Sequence, residues 1–81
     1  MSPDVIEVVA NEDYTLTLTF ENGEIKVFDI KPYLDKGIFN ELKDMSYYKN
    51  VKIIDGTVSW NDRQDICPDT LYSDSIELKS T

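Results

Sequence analysis

Eighty-one residues hold one domain, because a chain of this length cannot fill a second core. Hydrophobic residues make up 41% and aromatics 11%, enough for one modest core and too many for a disordered chain. Sixteen acids against eight bases give a net charge of −8. The few cations are spread along the chain, so direct nucleic-acid binding is not expected, whereas a basic protein partner or plain solubility fits.

The single cysteine, Cys67, cannot form an internal disulfide, which makes a reducing cytoplasm the expected location. The start M-S-P-D-V lacks the basic and apolar segments of a signal peptide. No apolar run approaches the roughly 18 residues of a membrane span.

In chain order, Val5 to Ala10 has strand composition and Asn11-Glu12-Asp13 reads as a turn. Tyr14 to Phe20 alternates, with Tyr14, Leu16, Leu18 and Phe20 on one side and three threonines on the other, the pattern of a half-buried strand. Asn22-Gly23 predicts a type I′ hairpin. A two-residue loop sets Phe20 opposite Ile25 and Leu18 opposite Val27, whereas a three-residue loop sets Leu18 against Lys26, so the tight turn is preferred. The tight turn leaves Phe28 and Ile30 on the threonine side, which then needs a cover or a bulge.

Pro32 starts and Gly37 ends a helical turn or two. Ile38, Phe39 and Leu42 share one side of a second short helix, and Asp44 or Ser46 caps a third turn through Met45, Tyr47 and Tyr48. Leu34, Ile38, Phe39, Leu42 and Tyr48 are expected to cover the sheet, since helices this short are not stable alone. Asp55-Gly56 predicts a second type I′ hairpin, pairing Ile54 with Thr57, Ile53 with Val58 and Val51 with Trp60. Pro68 to Leu71 reads as a helical turn, and the tail beyond Ser73 as frayed rather than an edge strand through Ile76 and Leu78. The predicted fold is α+β: a three-stranded antiparallel meander, a short helical connection, a returning β-hairpin and a C-terminal loop or helical turn. Residues 5–73 form the domain, with 1–4 and 74–81 as flexible termini.

Trp60 to Tyr72 (W-N-D-R-Q-D-I-C-P-D-T-L-Y) holds the only Trp, Arg and Cys of the chain and gathers Asp62, Asp65 and Asp69. The chain has no histidine, so Ser-His and Cys-His arrangements are missing, as is the commonest general base and metal ligand. Cys67 would need a cation such as Arg63 to become a thiolate, and reads more simply as a small buried thiol beside proline. The three aspartates do not match a calcium-binding loop, and turn capping with a pairing to Arg63 accounts for them. No catalytic, cofactor-binding or metal site is therefore expected. Tyr33, Tyr47, Tyr48 and Tyr72 exceed what core packing needs, and tyrosine favours interfaces.

The stretches Y-T-L-T-L-T-F-E-N-G-E, F-D-I-K-P-Y-L-D-K-G-I-F-N-E-L and V-S-W-N-D-R-Q-D-I-C-P-D-T-L-Y resemble the small bacterial domain of unknown function catalogued as number 2442. The resemblance covers Val5 to about Ser73, and D-I-C-P-D-T-L-Y is its most specific part. It implies an α+β domain with no established activity and no catalytic residues. It also implies an antitoxin-like, regulatory role, since such domains tend to be encoded beside small partner proteins. That family commonly carries a glycine after the tryptophan where this chain has Asn61-Asp62-Arg63-Gln64, so the loop is expected to differ in shape. A helix-turn-helix addition, found in some members, is not expected after Thr81.

The reading that results is a non-enzymatic protein-interaction domain. Its candidate surface comprises Trp60, Asp62, Arg63, Asp65, Asp69 and Tyr72, and its partner is a basic, toxin-like protein. The alternatives are a small enzyme or metal-dependent domain using the Asp62–Asp69 loop, and a self-associating domain that dimerises through the Val5–Ala10 edge.

Overall fold

The computed structural model describes residues 2–61 and 63–78. A four-stranded antiparallel sheet has the order β1 (Val5–Ala10), β2 (Thr15–Phe20), β3 (Ile25–Asp29), β7 (Ile76–Glu77). A three-stranded sheet has the order β4 (Lys52–Ile54), β5 (Thr57–Trp60), β6 (Gln64–Asp65). Between β3 and β4 run two 3-10 segments, Lys31–Tyr33 and Gly37–Lys43, and the short helix α1 (Met45–Tyr48). Helix α2 (Pro68–Asp74) joins β6 to β7. The fold is α+β, with the meander, helical connection and returning hairpin that the sequence predicts.

The first hairpin departs from the predicted register. Leu18 pairs with Lys26 and Leu16 with Phe28, and the amide of Phe20 donates to the carbonyl of Glu24. The loop is thus Glu21-Asn22-Gly23. Gly23 takes φ 91°, but Asn22 does not adopt the positive φ that a type I′ turn requires. Its side chain instead closes a local turn, accepting from the Glu24 amide at 3.0 Å and donating to the Glu24 carboxylate at 2.7 Å. The one-residue shift turns β3 over. Phe28 and Ile30 join Leu16, Leu18 and Phe20 in the core, so no bulge or cover is needed for them. Burying two such side chains is worth about 1.5–3 kcal/mol each, more than the cost of the inward Lys26. Lys26 itself is satisfied: its Nζ donates to the Tyr72 carbonyl at 2.7 Å, in the last turn of α2, and lies 3.8 Å from the Tyr72 ring centroid.

The second hairpin forms with the predicted turn and the predicted pairs next to it, but β4 starts at Lys52, so the expected Val51–Trp60 pair is not part of the ladder. Lys52, Ile53 and Ile54 pair with Ser59, Val58 and Thr57, and the turn residues Asp55 and Gly56 take φ 52° and 78°. All four residues of β5 are buried. Trp60 Nε1 donates to the Tyr48 carbonyl at 2.7 Å, and the two rings stack with centroids 6.3 Å apart. The Tyr48 hydroxyl donates to the Thr15 carbonyl at 2.8 Å, which ties the three-stranded sheet through α1 to β2. Burial, reinforced by the carboxylates of Asp13 and Asp29, holds the Tyr48 phenol well above its ordinary pKa.

The helical connection covers the core with Leu42 and Tyr48 fully buried. Asp44 caps α1, accepting from the Ser46 amide at 3.0 Å. Ile38 does not cover the sheet as expected. It is 51% exposed, because it follows Gly37 at φ 40° on the solvent side of the 3-10 segment. Tyr14 also breaks the predicted alternation: at φ 64° it ends the strand, and its hydroxyl reaches the Lys43 carbonyl at 2.7 Å.

Two stretches placed outside the domain by the sequence reading take part in it. The carbonyl of Asp4 accepts from the Glu21 amide and its amide donates to the Glu21 carboxylate, while Val5 N–H donates to the Gly56 carbonyl at 2.9 Å. Asp4 and Val5 thereby join the turns of both hairpins. At the other end, α2 continues to Asp74, and Ile76 and Glu77 pair with Val27 and Lys26. The tail forms a fourth strand because β3, turned over, offers its outer edge.

Candidate functional site

The loop after β5 starts with Asn61 at φ 56° and returns as β6, where Gln64 pairs with Trp60 and Asp65 with Ser59. Gln64 is fully buried and is the residue that the sequence reading overlooked. Its Nε2 donates to the Ile38 carbonyl and to the Glu41 carboxylate, each at 2.6 Å, and its Oε1 accepts from the Tyr47 hydroxyl at 2.7 Å. Every polar atom is served, so Gln64 fastens the loop to the second 3-10 segment. A neutral amide set among aspartates is the one signal that marks it in the sequence.

The predicted surface residues separate into different roles. Trp60 is fully buried and belongs to the core, so it presents nothing to a partner. Asp62 lies outside the described residues. Arg63 is exposed and pairs with Glu41 at 3.2 Å, and among the described residues no ion pair joins it to Asp65 or Asp69. Asp65 is exposed, and with Asp55, Arg63, Ser59, Thr57, Ile54 and Pro68 it lines an open depression of about 360 Å³. The floor of that depression is polar and ordered: Ser59 is buried, and the Thr57 hydroxyl donates to the Ile66 carbonyl at 2.6 Å. Asp69 lies in the first turn of α2, where a carboxylate suits the helix dipole, and accepts from the Ser2 hydroxyl at 2.7 Å.

Tyr72 stands apart from this depression. Its ring meets Phe20 edge-on at 5.1 Å, and its hydroxyl donates to the Glu24 carboxylate. That hydrogen bond raises the phenol above its ordinary pKa and lowers the Glu24 carboxyl, which Asn22 lowers further. The other tyrosines are occupied as well. Tyr33 packs between Phe28 and Phe39, with centroids at 5.5 and 5.7 Å, Tyr47 bonds Gln64, and Tyr48 is core.

Cys67 is exposed rather than buried, at the position before Pro68 that precedes α2. Arg63, its nearest cation in sequence, is turned to Glu41. Among the described residues, no three Cys, Asp or Glu side chains converge as a metal ion would require. No ion pair engages Asp55, Asp65 or Asp69 among those residues, whereas Arg63, Lys31, Lys43 and Lys49 each have one. The depression therefore presents two carboxylates without an ion pair, beside an Arg63 that Glu41 holds, over hydroxyl groups, an arrangement able to accept hydrogen bonds from a cationic side chain. No helix among the described residues is long and apolar enough to cross a membrane.

No curated protein and no solved structure matches the chain. One family model does, over residues 5–77, from the start of β1 to the end of β7. On that match the chain belongs to the family described as protein of unknown function (DUF2442).

Proposed function

We propose that this chain is a non-enzymatic protein-interaction domain with an antitoxin-like, regulatory role, and that it engages a basic partner. The observation supporting it is the depression on the three-stranded sheet, where Asp55 and Asp65 stand above Ser59 and Thr57 with no ion pair among the described residues, the Arg63 beside them being held by Glu41. A lysine or arginine of a partner entering there gains charge-assisted hydrogen bonds, and the net charge of −8 steers it inward. Asp69, exposed at the neighbouring start of α2, extends the acidic rim. The interaction surface is thus narrower than the sequence implies: Asp65 and Asp69 contact the partner, whereas Trp60 and Tyr72 hold the framework.

The double substitution Asp65→Lys and Asp69→Lys tests this reading. Both side chains are exposed, so the melting temperature should move by only about 2–4 °C. Wild-type protein used as bait in a bacterial extract should retain a basic protein in stoichiometric amount, and the variant should lose it. Equal capture by both, or capture by neither at low salt, would remove the acidic surface from consideration.

A further inference from the structure

We infer that the outer face of the four-stranded sheet docks a second copy of this chain, the two sheets packing face to face. The register sets Val9, Thr17, Val27 and Ile76 in one row across all four strands. The next row runs Glu7, Thr19, Ile25, and Leu78 joins it through its amide bond to the Ile25 carbonyl at 2.9 Å. None of these side chains points to the core. Val9 is 55% exposed, Ile25 43%, Leu78 50% and Ile76 74%. Two of the three threonines of the face are already engaged: Asn11 Nδ2 donates to the hydroxyls of Thr15 and Thr17 at 3.1 and 2.9 Å, and Thr15 donates to Asp13 at 2.6 Å. Hydroxyls satisfied within the face lose little when water leaves it.

Charge selects the occupant. With sixteen acids, two copies repel over most of their surface. On this face the acids, Glu7, Asp13 and Asp29, stand only at the margins, so two copies approach here with the least repulsion. A basic partner gains nothing from a face without central charge. Size agrees. Three strands of about five residues and the two residues of β7, at about 4.8 Å spacing and about 3.3 Å rise, cover roughly 270 Å² in projection. Two facing sheets with side-chain relief then bury on the order of 1,000 Å² in all, the lower bound of a specific interface. Across a twofold axis the patch of Val9, Ile25, Val27, Ile76 and Leu78 meets its own copy. Pairing through the β1 edge is the competing arrangement. It is blunted by the register shift between Val5 and Glu7 and by the Gly56 carbonyl that occupies the Val5 amide.

Sedimentation equilibrium over about 5 µM to 1 mM, where interfaces of this size dissociate, reads the association. Wild type should form a dimer, and Ile25→Lys with Ile76→Lys should weaken it at least about a hundredfold, an effect typical of charges buried in an apolar contact. Both positions are exposed, so circular dichroism and the monomer fold should be unchanged. The added lysines lessen the net negative charge, so any weakening cannot come from added repulsion. Val8→Pro removes an outward edge amide while leaving the outer face intact, and should dimerise like wild type. A monomer at every concentration overturns the inference, as does a dimer that survives the two lysines and is lost with Val8→Pro.

Discussion

The two hairpins carry nearly the same turn signal, Asn22-Gly23 and Asp55-Gly56, and resolve it in opposite ways. At Asp55-Gly56 both residues take positive φ and the loop closes with two residues, matching the register that the flanking apolar residues demand. At Asn22-Gly23 only the glycine does so, and the loop takes three. The turn dipeptide therefore offers two registers, and the core chooses between them. Around the first turn the choice is between burying Lys26 and exposing Phe28 with Ile30. The lysine has a polar destination in the Tyr72 carbonyl, and the two apolar side chains have none in water. Around the second turn there is no such conflict, and local preference and packing agree.

The second hairpin should accordingly be the more costly to damage. Trp60→Ala is expected to have the largest effect, destabilising by about 3–5 kcal/mol. It empties the largest buried side-chain volume and leaves the Tyr48 carbonyl without its 2.7 Å donor. For a domain of this size that removes much of the stability, about 5–15 kcal/mol in total. Urea unfolding at 25 °C provides the measurement. A loss under about 1 kcal/mol would mean that β5 is not the centre of the core.

The glycines sharpen the contrast. Alanine at Gly23 meets no atom within 4 Å, so Gly23→Ala should cost only the positive-φ penalty, about 1 kcal/mol. Alanine at Gly56 carries the same penalty and also runs into the Asp4 carboxyl, whose Cγ would lie 2.6 Å away. Asp4 cannot retreat freely, since both its backbone groups are bonded to Glu21. Gly56→Ala should therefore cost about 2 kcal/mol or more, and calorimetric melting temperatures of the two variants should differ by roughly 4–8 °C. Equal melting temperatures would show that Asp4 does not lock the two turns together.

This contrast also marks what the sequence can say. Alternation in Leu16, Leu18 and Phe20, the Asp55-Gly56 turn, the Asp44 cap and Pro68 at a helix start are local signals, and each element stands where its signal puts it. The register of β3, the strand at Ile76–Glu77 and the inward Gln64 depend on partners 17 to 51 residues away. Such partners leave no local pattern. The candidate surface suffered in the same way: Asp65 is legible as an exposed acid, but the burial of Trp60 and the exposure of Cys67 follow from where α1 and α2 pack.

Acid should separate the hairpins by the smallest margin. The first turn is held by titratable hydrogen bonds, from Tyr72 and Asn22 to the Glu24 carboxylate, and these lower the Glu24 pKa below its ordinary 4.5. A carboxyl whose pKa is lower in the folded state stabilises the fold above its unfolded value. That contribution fades as pH falls from about 4.5 through the folded value. Asp55, among the described residues, makes no side-chain hydrogen bond, so the second turn has nothing comparable to lose. Amide exchange should thus show the Phe20 amide, bonded to Glu24, losing protection between pH 5 and 3 while the amides of the β4–β5 pair hold theirs. Tyr72→Phe removes the strongest hydrogen-bond donor to the Glu24 carboxylate and should shrink the acid response of the first turn without touching the second. If Tyr72→Phe leaves that response unchanged, the Glu24 carboxylate owes its acidity to Asn22 and Lys26, and the first turn is held locally rather than through α2.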